Sequence, residues 1–344
     1  MLGNLFSAFG RDSRQRPVFD NTRRLARIAY RTQYYARIAA SAFGRIPLTT
    51  QLRTHFPFAF PDGLPPANLT IEFTNYCNLA CTYCTSPLGI RTRGFMDEET
   101  FALLLAGLRN FRIPRLRIVG NGEPTLHPRF CEMATDLAKS CEYLTMVTNL
   151  QRLPEKVARA MLQAPVRLIE ISADSDNPEE YERSRVHGSF VKLISNLGML
   201  QRLKRELQSP SLINVRCMIR PTQIDREKEI LAFWSRYADV AMPQYLHDYT
   251  HGNDSDVFTH YQKEGLVPRC SIPTKHMIMH WNGRVPLCEM SQQQTGIPEG
   301  LIVGDIHNMS LKEIWNAPLF VQYRQGHRMR DNALTPICRG CIGG

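Results

Sequence analysis

The chain has 344 residues, of which 43% are hydrophobic and 22% charged, as expected for a globular protein with two domains or one large domain and an extension. This composition excludes wholesale disorder, a fibrous repeat and a coiled coil, and its longest apolar stretch, residues 101–108, is too short for the ~20 residues of a membrane-spanning helix. The net charge of +10 lies mostly in residues 1–60, which hold ten arginines and two aspartates, so a basic nucleic-acid-binding body is not expected.

The first predicted segment, residues 1–66, is basic and helical. Residues 21–44 have an apolar side and an arginine-rich side, the pattern of an amphipathic helix. A helix packed on the folded body is favoured, while peripheral contact with anionic lipid and a transit peptide are alternatives. No signal-peptide pattern is present, so the cytoplasm is the expected location.

From residue 67 to residue 247, strand-like runs alternate with helical patterns. The predicted strands are residues 69–74, 115–119, 143–148, 166–172, 213–219 and 240–246, and the predicted helices are residues 97–109, 128–139, 155–163, 189–207 and 225–237. This alternation predicts an α/β fold with a parallel sheet and helices outside it. A partial (β/α)6 barrel and an open doubly wound sheet are both compatible with the pattern, and both bind ligands at the carboxyl ends of the strands.

After a polar linker at 248–269, the last segment, 270–344, departs from this alternation. Residues 276–288 predict a hairpin with an Asn-Gly turn, and a short helix is expected at residues 311–315. The segment also carries four of the ten cysteines. In a chain without a secretion signal, cysteines at such spacings favour metal or cluster ligands over disulfides.

Cys77, Cys81 and Cys84 directly follow the first predicted strand, on one loop at the carboxyl edge of the sheet. Three thiolates can bind three irons of a [4Fe–4S] cube, which leaves the fourth iron open to a substrate or cofactor. A structural zinc site is the alternative, although zinc sites usually have four ligands in regular pairs.

These cysteines, with Tyr83 directly before the last one, resemble the signature of radical S-adenosylmethionine (SAM) enzymes. The resemblance covers residues 69–246, because further family motifs follow at successive strand ends. They are Gly120-Asn121-Gly122-Glu123-Pro124, Thr148-Asn149 and Ser172-Ala173-Asp174, with Asn121 standing where the family usually has glycine. The resemblance implies a partial (β/α)6 barrel of the radical SAM type with a small C-terminal iron–sulfur extension.

The resemblance also implies that SAM chelates the open iron of the [4Fe–4S] cluster through its amino and carboxylate groups. The residues expected to bind SAM are Tyr83, Gly122, Glu123, Asn149, Ser172 and Asp174. Glu123 would accept a hydrogen bond from the SAM ammonium, and Tyr83 would face the adenine. The residue pattern leaves alternatives open: Glu123 at the start of a helical turn, Tyr83 in the core, and caps or turns for the other polar side chains.

The second cysteine set resembles the SPASM/twitch extension of some radical SAM enzymes. Its proposed ligands are Cys270, Cys288, Cys338 and Cys341. Four ligands resemble the shorter twitch form, which implies one saturated auxiliary [4Fe–4S] cluster that conducts electrons or stabilises the fold. A four-cysteine zinc site is the alternative.

An auxiliary cluster suits a net two-electron oxidation, so the expected reaction is dehydrogenation or epimerisation of a small molecule similar to a sugar or aminocyclitol. In an epimerase, Cys217 on the strand at residues 213–219 would return a hydrogen atom, and a buried core position is its alternative. The expected partners are this substrate and an external one-electron reductant such as flavodoxin or ferredoxin. A maturase of ribosomally synthesised peptides and a non-enzymatic metal-stabilised binding protein are the competing functions.

Overall fold

The computed structural model describes residues 36, 48–59, 61, 63–164, 166–245, 270–288 and 299–338. The strands are β1 Asn68–Ile71, β2 Ala80–Cys81, β3 Arg115–Ile118, β4 Tyr143–Thr148, β5 Val166–Ala173, β6 Arg185–Val186, β7 Leu212–Ile219, β8 Val240–Tyr245, β9 His276–Met279, β10 Arg284–Pro286 and β11 Ile302–Asp305. The α-helices are α1 Leu48–His55, α2 Glu98–Asn110, α3 Phe130–Lys139, α4 Glu155–Gln163, α5 Pro178–Ser184, α6 Phe190–Glu206, α7 Glu227–Trp234, α8 Ile272–Lys275, α9 Leu311–Trp315 and α10 Pro318–Met329.

The main sheet has seven strands in the order β8-β7-β5-β4-β3-β1-β9, and every neighbouring pair is parallel. Six of these are the predicted strands, and a helix follows each of β3, β4, β5 and β7. The prediction of a parallel α/β fold that forms a partial barrel is therefore confirmed. All carboxyl ends of the strands lie at one edge of the sheet, which is where the predicted motifs follow.

The two faces of the sheet differ in chemistry because side chains alternate along each strand. On β5, Ile169 and Ile171 are fully buried in the core shared with the helices, whereas Glu170 between them faces the other side. The helices complete this core, and α6 supplies leucines at three- and four-residue spacing. The opposite, polar face is called the inner face below; it carries Arg117, Glu170, Asn214, Arg216 and Gln244.

Residues 276–288 form the predicted turn, but the prediction that the two strands on either side of it pair with each other is wrong. The backbone N–H of His280 donates to the carbonyl of Arg284 at 2.9 Å, and Gly283 takes a positive φ of 80°. The two arms then separate: β9 pairs in parallel with β1, and β10 pairs antiparallel with β11. Met277 and Met279 are fully buried, so β9 extends the sheet core and covers an edge of β1 that would otherwise be open.

The helices α5, α8 and α10 have no counterpart in the sequence prediction. Most of residues 21–44, with the expected amphipathic helix, and the whole of the expected linker at residues 248–269 lie outside the described part of the chain. The proposed domain boundaries therefore stay predictions. Within the described ranges, no helix has both the length and the apolar character needed to cross a membrane.

Candidate functional site

The loop with the first three cysteines, residues 77–84, is fixed by a contact far along the chain. Cys81 lies on β2, which pairs antiparallel with β6, and the N–H of Thr82 donates to the carbonyl of Ser184 at 2.9 Å. The N–H of Cys84 donates to the carbonyl of Cys81 at 3.1 Å, which turns the end of the loop back on itself. All three thiols are half-buried. The tertiary fold therefore gathers the three cysteines at the carboxyl end of β1.

The surroundings of these thiols favour their neutral form. Burial raises the pKa of Cys77 to about 11 and that of Cys81 to about 12, and it also raises the pKa of Cys84. Neighbouring thiols add to the rise in the pKa of Cys77 and of Cys81. Iron would supply the positive charge that makes thiolates stable here, so cluster binding would release protons.

The arrangement of the thiols differs from that of a single-metal site. Among the described residues, no three His, Cys, Asp or Glu side chains are placed to hold a single metal ion. A [4Fe–4S] cube does not require such convergence, because each cysteine binds a different iron.

The loop from Gly120 to Glu123 packs directly against the cysteine loop. A Cβ atom at Gly122 would lie 2.4 Å from the carbonyl oxygen of Thr74 and 2.5 Å from that of Tyr76. The N–H of Glu123 donates to the same Tyr76 carbonyl at 2.8 Å. Only glycine allows this approach of two backbones, so Gly122 positions one motif against the other.

Glu123 is buried and its carboxylate accepts four hydrogen bonds. Oε1 accepts from the N–H and hydroxyl of Thr125 and from the hydroxyl of Thr148, and Oε2 accepts from the N–H of Asn149 at 2.7 Å. Burial raises the pKa of Glu123, and these hydrogen bonds oppose the shift. The carboxylate caps the 3-10 turn Pro124–Leu126, the alternative considered from the sequence, and also links the loops after β3 and β4.

Asn149 joins this loop to the cysteine loop. Its Nδ2 donates to Oδ1 of Asn78 at 3.0 Å and lies 3.8 Å from Sγ of Cys77. Its Oδ1 accepts from the N–H of Gln151 at 2.9 Å. The amide is therefore placed beside the cysteine nearest to β1.

Tyr83 and Asp174, both expected to face SAM, contact each other. The Tyr83 hydroxyl donates to Asp174 at 3.1 Å, and Asp174 also accepts from the Ser184 hydroxyl and from Nε of Arg185 at 2.8 Å. The Arg185 guanidinium lies 5.7 Å from the centre of the Tyr83 ring. Arg185 was missed from the sequence because it lies in a two-residue strand that leaves no periodic signal. Ser172, the remaining expected contact, lies at the carboxyl end of β5 in register with Arg216.

The side chain of Cys217, the hydrogen donor expected for an epimerase, lies on the helix-facing side of its strand. Its side chain is fully buried in the helix-facing core with Val215 and Ile219, whereas the neighbouring Arg216 bonds to Glu170 on the inner face. Period-two alternation makes these two directions exclusive. The structure thus gives Cys217 the core position that was the alternative.

Part of the second cysteine set is brought together around α10. The N–H of Cys270 donates to Nδ1 of His327 at 3.3 Å, and Sγ of Cys338 lies 3.4 Å from Nε2 of the same ring. Cys288 follows β10 and is half-buried. Cys341 lies outside the described residues.

Two family models match the chain: the radical SAM superfamily over residues 71–233, and the SPASM iron–sulfur cluster-binding domain over residues 270–342. The chain is a radical SAM protein with a C-terminal SPASM domain. Its cofactors are therefore SAM, the [4Fe–4S] cluster that binds it, and an auxiliary [4Fe–4S] cluster. Membership of this family supports enzymatic activity.

Curated relatives share only part of this chain. It is 32% identical over 135 residues to a GTP 3′,8-cyclase of Petrotoga mobilis, a match that covers 38% of this chain and 41% of the relative. It is 31% identical over 143 residues to the mycofactocin maturase MftC of Mycobacterium ulcerans, covering 40% of this chain and 38% of the relative. The matches span about two fifths of the length of these curated relatives.

Solved structures support the fold. The structure of BtrN in complex with AdoMet and 2-DOIA covers 80% of this chain and 93% of its own, with a TM-score of 0.51 at 14% identity. The structure of anSMEcpe with bound AdoMet and the Cp18Cys peptide covers 75% of this chain and 82% of its own, with a TM-score of 0.56 at 15% identity. At this identity the likeness concerns the fold alone.

Proposed function

We propose that this enzyme oxidises a polar small molecule similar to a sugar or an aminocyclitol by dehydrogenation. The observation that carries the proposal is the chemistry of the inner face. Glu170 is buried there between Arg117 on β3, at 2.8 Å, and Arg216 on β7, at 3.0 Å. The two arginine side chains stay 39% and 27% exposed, so they can also bind another polar molecule. Such a surface suits a substrate rich in hydroxyl groups, whose oxygens can accept from guanidinium N–H groups.

A second group of polar residues lies at the carboxyl ends of β1 and β9. Glu72 is held by two guanidinium nitrogens of Arg91, at 2.8 and 2.9 Å. His280 is 4% exposed, and its Nε2 has no hydrogen-bond partner among the described residues. Because a buried polar atom normally has a partner, this nitrogen suits a substrate hydroxyl.

The protonation state of His280 agrees with such a role. Burial holds the pKa of His280 well below its usual range, and the nearby Arg91 and Arg284 lower it further. The ring is therefore neutral at neutral pH and can form a hydrogen bond with a substrate hydroxyl.

We place SAM at the carboxyl edge, between the cysteine loop, the Gly120–Glu123 loop and the ends of β4 and β5. When bound there, the cluster and SAM supply a radical that removes a hydrogen atom from a substrate C–H bond. The Oε2 atom of Glu123 accepts one hydrogen bond against three at Oε1, so it is the atom available to the SAM ammonium. Asn149 directly follows β4, and Ser172 lies at the carboxyl end of β5.

Two features support dehydrogenation over epimerisation. Cys217, the hydrogen donor expected for an epimerase, lies in the helix-facing core and not on the inner face where we place the substrate. The SPASM domain supplies a cluster that can accept the substrate electron, and an external flavodoxin or ferredoxin would supply the electron that cleaves SAM.

Peptide modification is the second candidate, because the relatives include a mycofactocin maturase and the similar structures include Streptococcus suis SuiB bound to precursor peptide SuiA. The two candidates differ in what stimulates SAM cleavage. The full chain, reconstituted anaerobically and reduced with dithionite, is incubated with SAM and either a panel of sugars and aminocyclitols or a panel of short peptides.

The proposal expects 5′-deoxyadenosine formation to rise with one of the polyols, which mass spectrometry shows to lose two hydrogen atoms. The control is the triple variant Cys77→Ala, Cys81→Ala, Cys84→Ala, which should form no 5′-deoxyadenosine. Stimulation by a peptide alone, with loss of mass from that peptide, would replace the proposal with the maturase.

A further inference from the structure

His327 on α10 lies between two cysteines of the auxiliary cluster. On one side of its ring, Nδ1 is 3.3 Å from the backbone nitrogen of Cys270, and on the other side Nε2 is 3.4 Å from Sγ of Cys338. The histidine is 2% exposed and Cys270 is 7% exposed. No spacing in the sequence marks this residue, since His327 is 57 positions from Cys270 and 11 from Cys338.

The two contacts determine the tautomer of the ring. A backbone N–H can only donate, so Nδ1 of His327 must accept from Cys270 and carries no proton. In a neutral imidazole the proton then belongs to Nε2. Nε2 therefore donates to the sulfur of Cys338.

The surrounding packing holds His327 in this position. Arg324, one turn earlier on the same face of α10, donates from Nε to the carbonyl of Pro273 at 2.8 Å. One face of α10 therefore makes both contacts. Arg324 binds the segment that follows Cys270, and His327 binds Cys270 itself.

The segment that leads to Cys338 is held as closely. A Cβ atom at Gly326 would lie 2.6 Å from Cγ2 of Thr335, so the end of α10 and this segment are in tight contact. Gln322 also donates from Nε2 to the carbonyl of Leu334 at 2.9 Å. His327 is thereby fixed against Cys338 by backbone placement and not only by its own hydrogen bonds.

We propose that His327 is a positioning residue of the auxiliary cluster, which donates an Nε2–H···S hydrogen bond to the ligand Cys338 and so raises the reduction potential of the cluster. A donor at a ligating sulfur stabilises the added negative charge of the reduced cluster more than the oxidised state, and such bonds are among the factors that set cluster potentials. The inference rests on the proposed function only in explaining why a higher potential would be useful: it makes the auxiliary cluster a better acceptor of the substrate electron.

The test uses full-length chain that lacks the SAM-binding cluster, the triple variant Cys77→Ala, Cys81→Ala, Cys84→Ala, so that only the auxiliary cluster contributes. Its potential is measured by redox titration followed by electron paramagnetic resonance, with His327, His327→Gln or His327→Phe. Phenylalanine removes the donor, so the potential should become more negative. Glutamine offers both an acceptor and an N–H donor, so it should restore most of the shift. Equal potentials in all three proteins would overturn the proposal.

A measurement on the unsubstituted histidine keeps the proposal testable if His327→Phe fails to fold. Pulsed electron–nuclear double resonance of the reduced auxiliary cluster should show an exchangeable proton that disappears in D2O and only weak coupling to histidine nitrogen. Strong nitrogen coupling would make His327 an iron ligand and would overturn the proposal, as would zinc in place of iron. All of these measurements use the triple variant Cys77→Ala, Cys81→Ala, Cys84→Ala, which cannot cleave SAM. The results are therefore independent of whether the substrate is a polyol or a peptide.

Discussion

Arg185 and Asp174 form a buried ion pair directly beside the cysteine loop, with the guanidinium nitrogen 2.7 Å from the carboxylate and both side chains at most 5% exposed. The pair joins β6, which holds the cysteine loop through β2, to the end of β5. It also fixes Tyr83, whose hydroxyl donates to the same carboxylate. One ion pair thus connects the cluster loop to the middle of the sheet.

Arg185→Gln should destabilise the protein by about 3–5 kcal/mol, because it leaves the Asp174 charge buried without its partner. Denaturant unfolding of the apoprotein measures this change, and iron content should fall with it. The control is Arg159→Gln, whose ion pair with Glu155 is exposed and should cost only about 0–1 kcal/mol. Similar costs for the two variants would contradict the structural role of the pair.

Gly122→Ala should displace the cysteine loop, because the added Cβ would lie 2.4 Å from a backbone carbonyl oxygen. We expect the reconstituted variant to lose the SAM-binding cluster and to keep roughly four irons, those of the auxiliary cluster. Gly198→Ala is the matched control, since a Cβ there meets nothing within 4 Å and the residue lies in α6. That change should stabilise the protein by about 0.5–1 kcal/mol and leave the iron content unchanged.

Glu170→Gln should reduce stability most at neutral pH. Burial alone would raise the pKa of Glu170, but Arg117 and Arg216 outweigh it, so the pKa lies below its usual value of 4.5. A carboxylate with a lowered pKa contributes stability above its unfolded pKa and loses that contribution as the pH falls through the folded one.

The free energy of unfolding of wild type and variant should therefore converge below about pH 4.5. Urea denaturation across this range measures the gap. Glu155→Gln, at an exposed position, is the control: its difference from wild type in free energy of unfolding should stay small at every pH. A gap for Glu170→Gln that is constant with pH would show that the two arginines do not stabilise the carboxylate.

His280→Phe should uncouple SAM cleavage from product formation. If Nε2 of His280 binds the substrate hydroxyl, its loss should lower the rate of product formation by about tenfold while 5′-deoxyadenosine still forms, since a hydrogen bond contributes about 0.5–1.5 kcal/mol. The measurement is the ratio of 5′-deoxyadenosine to oxidised product, both quantified in the same reaction. His307→Gln is the control, because this histidine is 32% exposed and pairs with Asp305 outside the sheet. An unchanged ratio in His280→Phe would remove His280 from the substrate site.

The local sequence determined most elements of the core and indicated which cysteines are candidates to bind iron. Buried parallel strands are short apolar runs, and all six strands predicted before residue 247 are present with bounds that differ by at most three residues. The cysteine triplet and the motifs at the strand ends are contiguous in sequence, so they could be recognised without knowing how the chain folds. The spacing of the four C-terminal cysteines resembles that of known SPASM domains, and this resemblance was sufficient to predict the extension.

Only the tertiary structure decided how these groups contact one another. Cys217 alternates with Asn214 and Arg216 along β7, and only the fold shows that the face of Cys217 meets the helices while the polar residues lie on the inner face. The partner of β9 depends on an open edge of β1, which lies more than 200 positions earlier. Arg185 and His327 acquire their roles from contacts with residues brought near by folding, and such contacts leave no periodic signal in the chain. Spacing along a sequence determines what a segment can form, whereas pairing across the fold determines what its side chains meet.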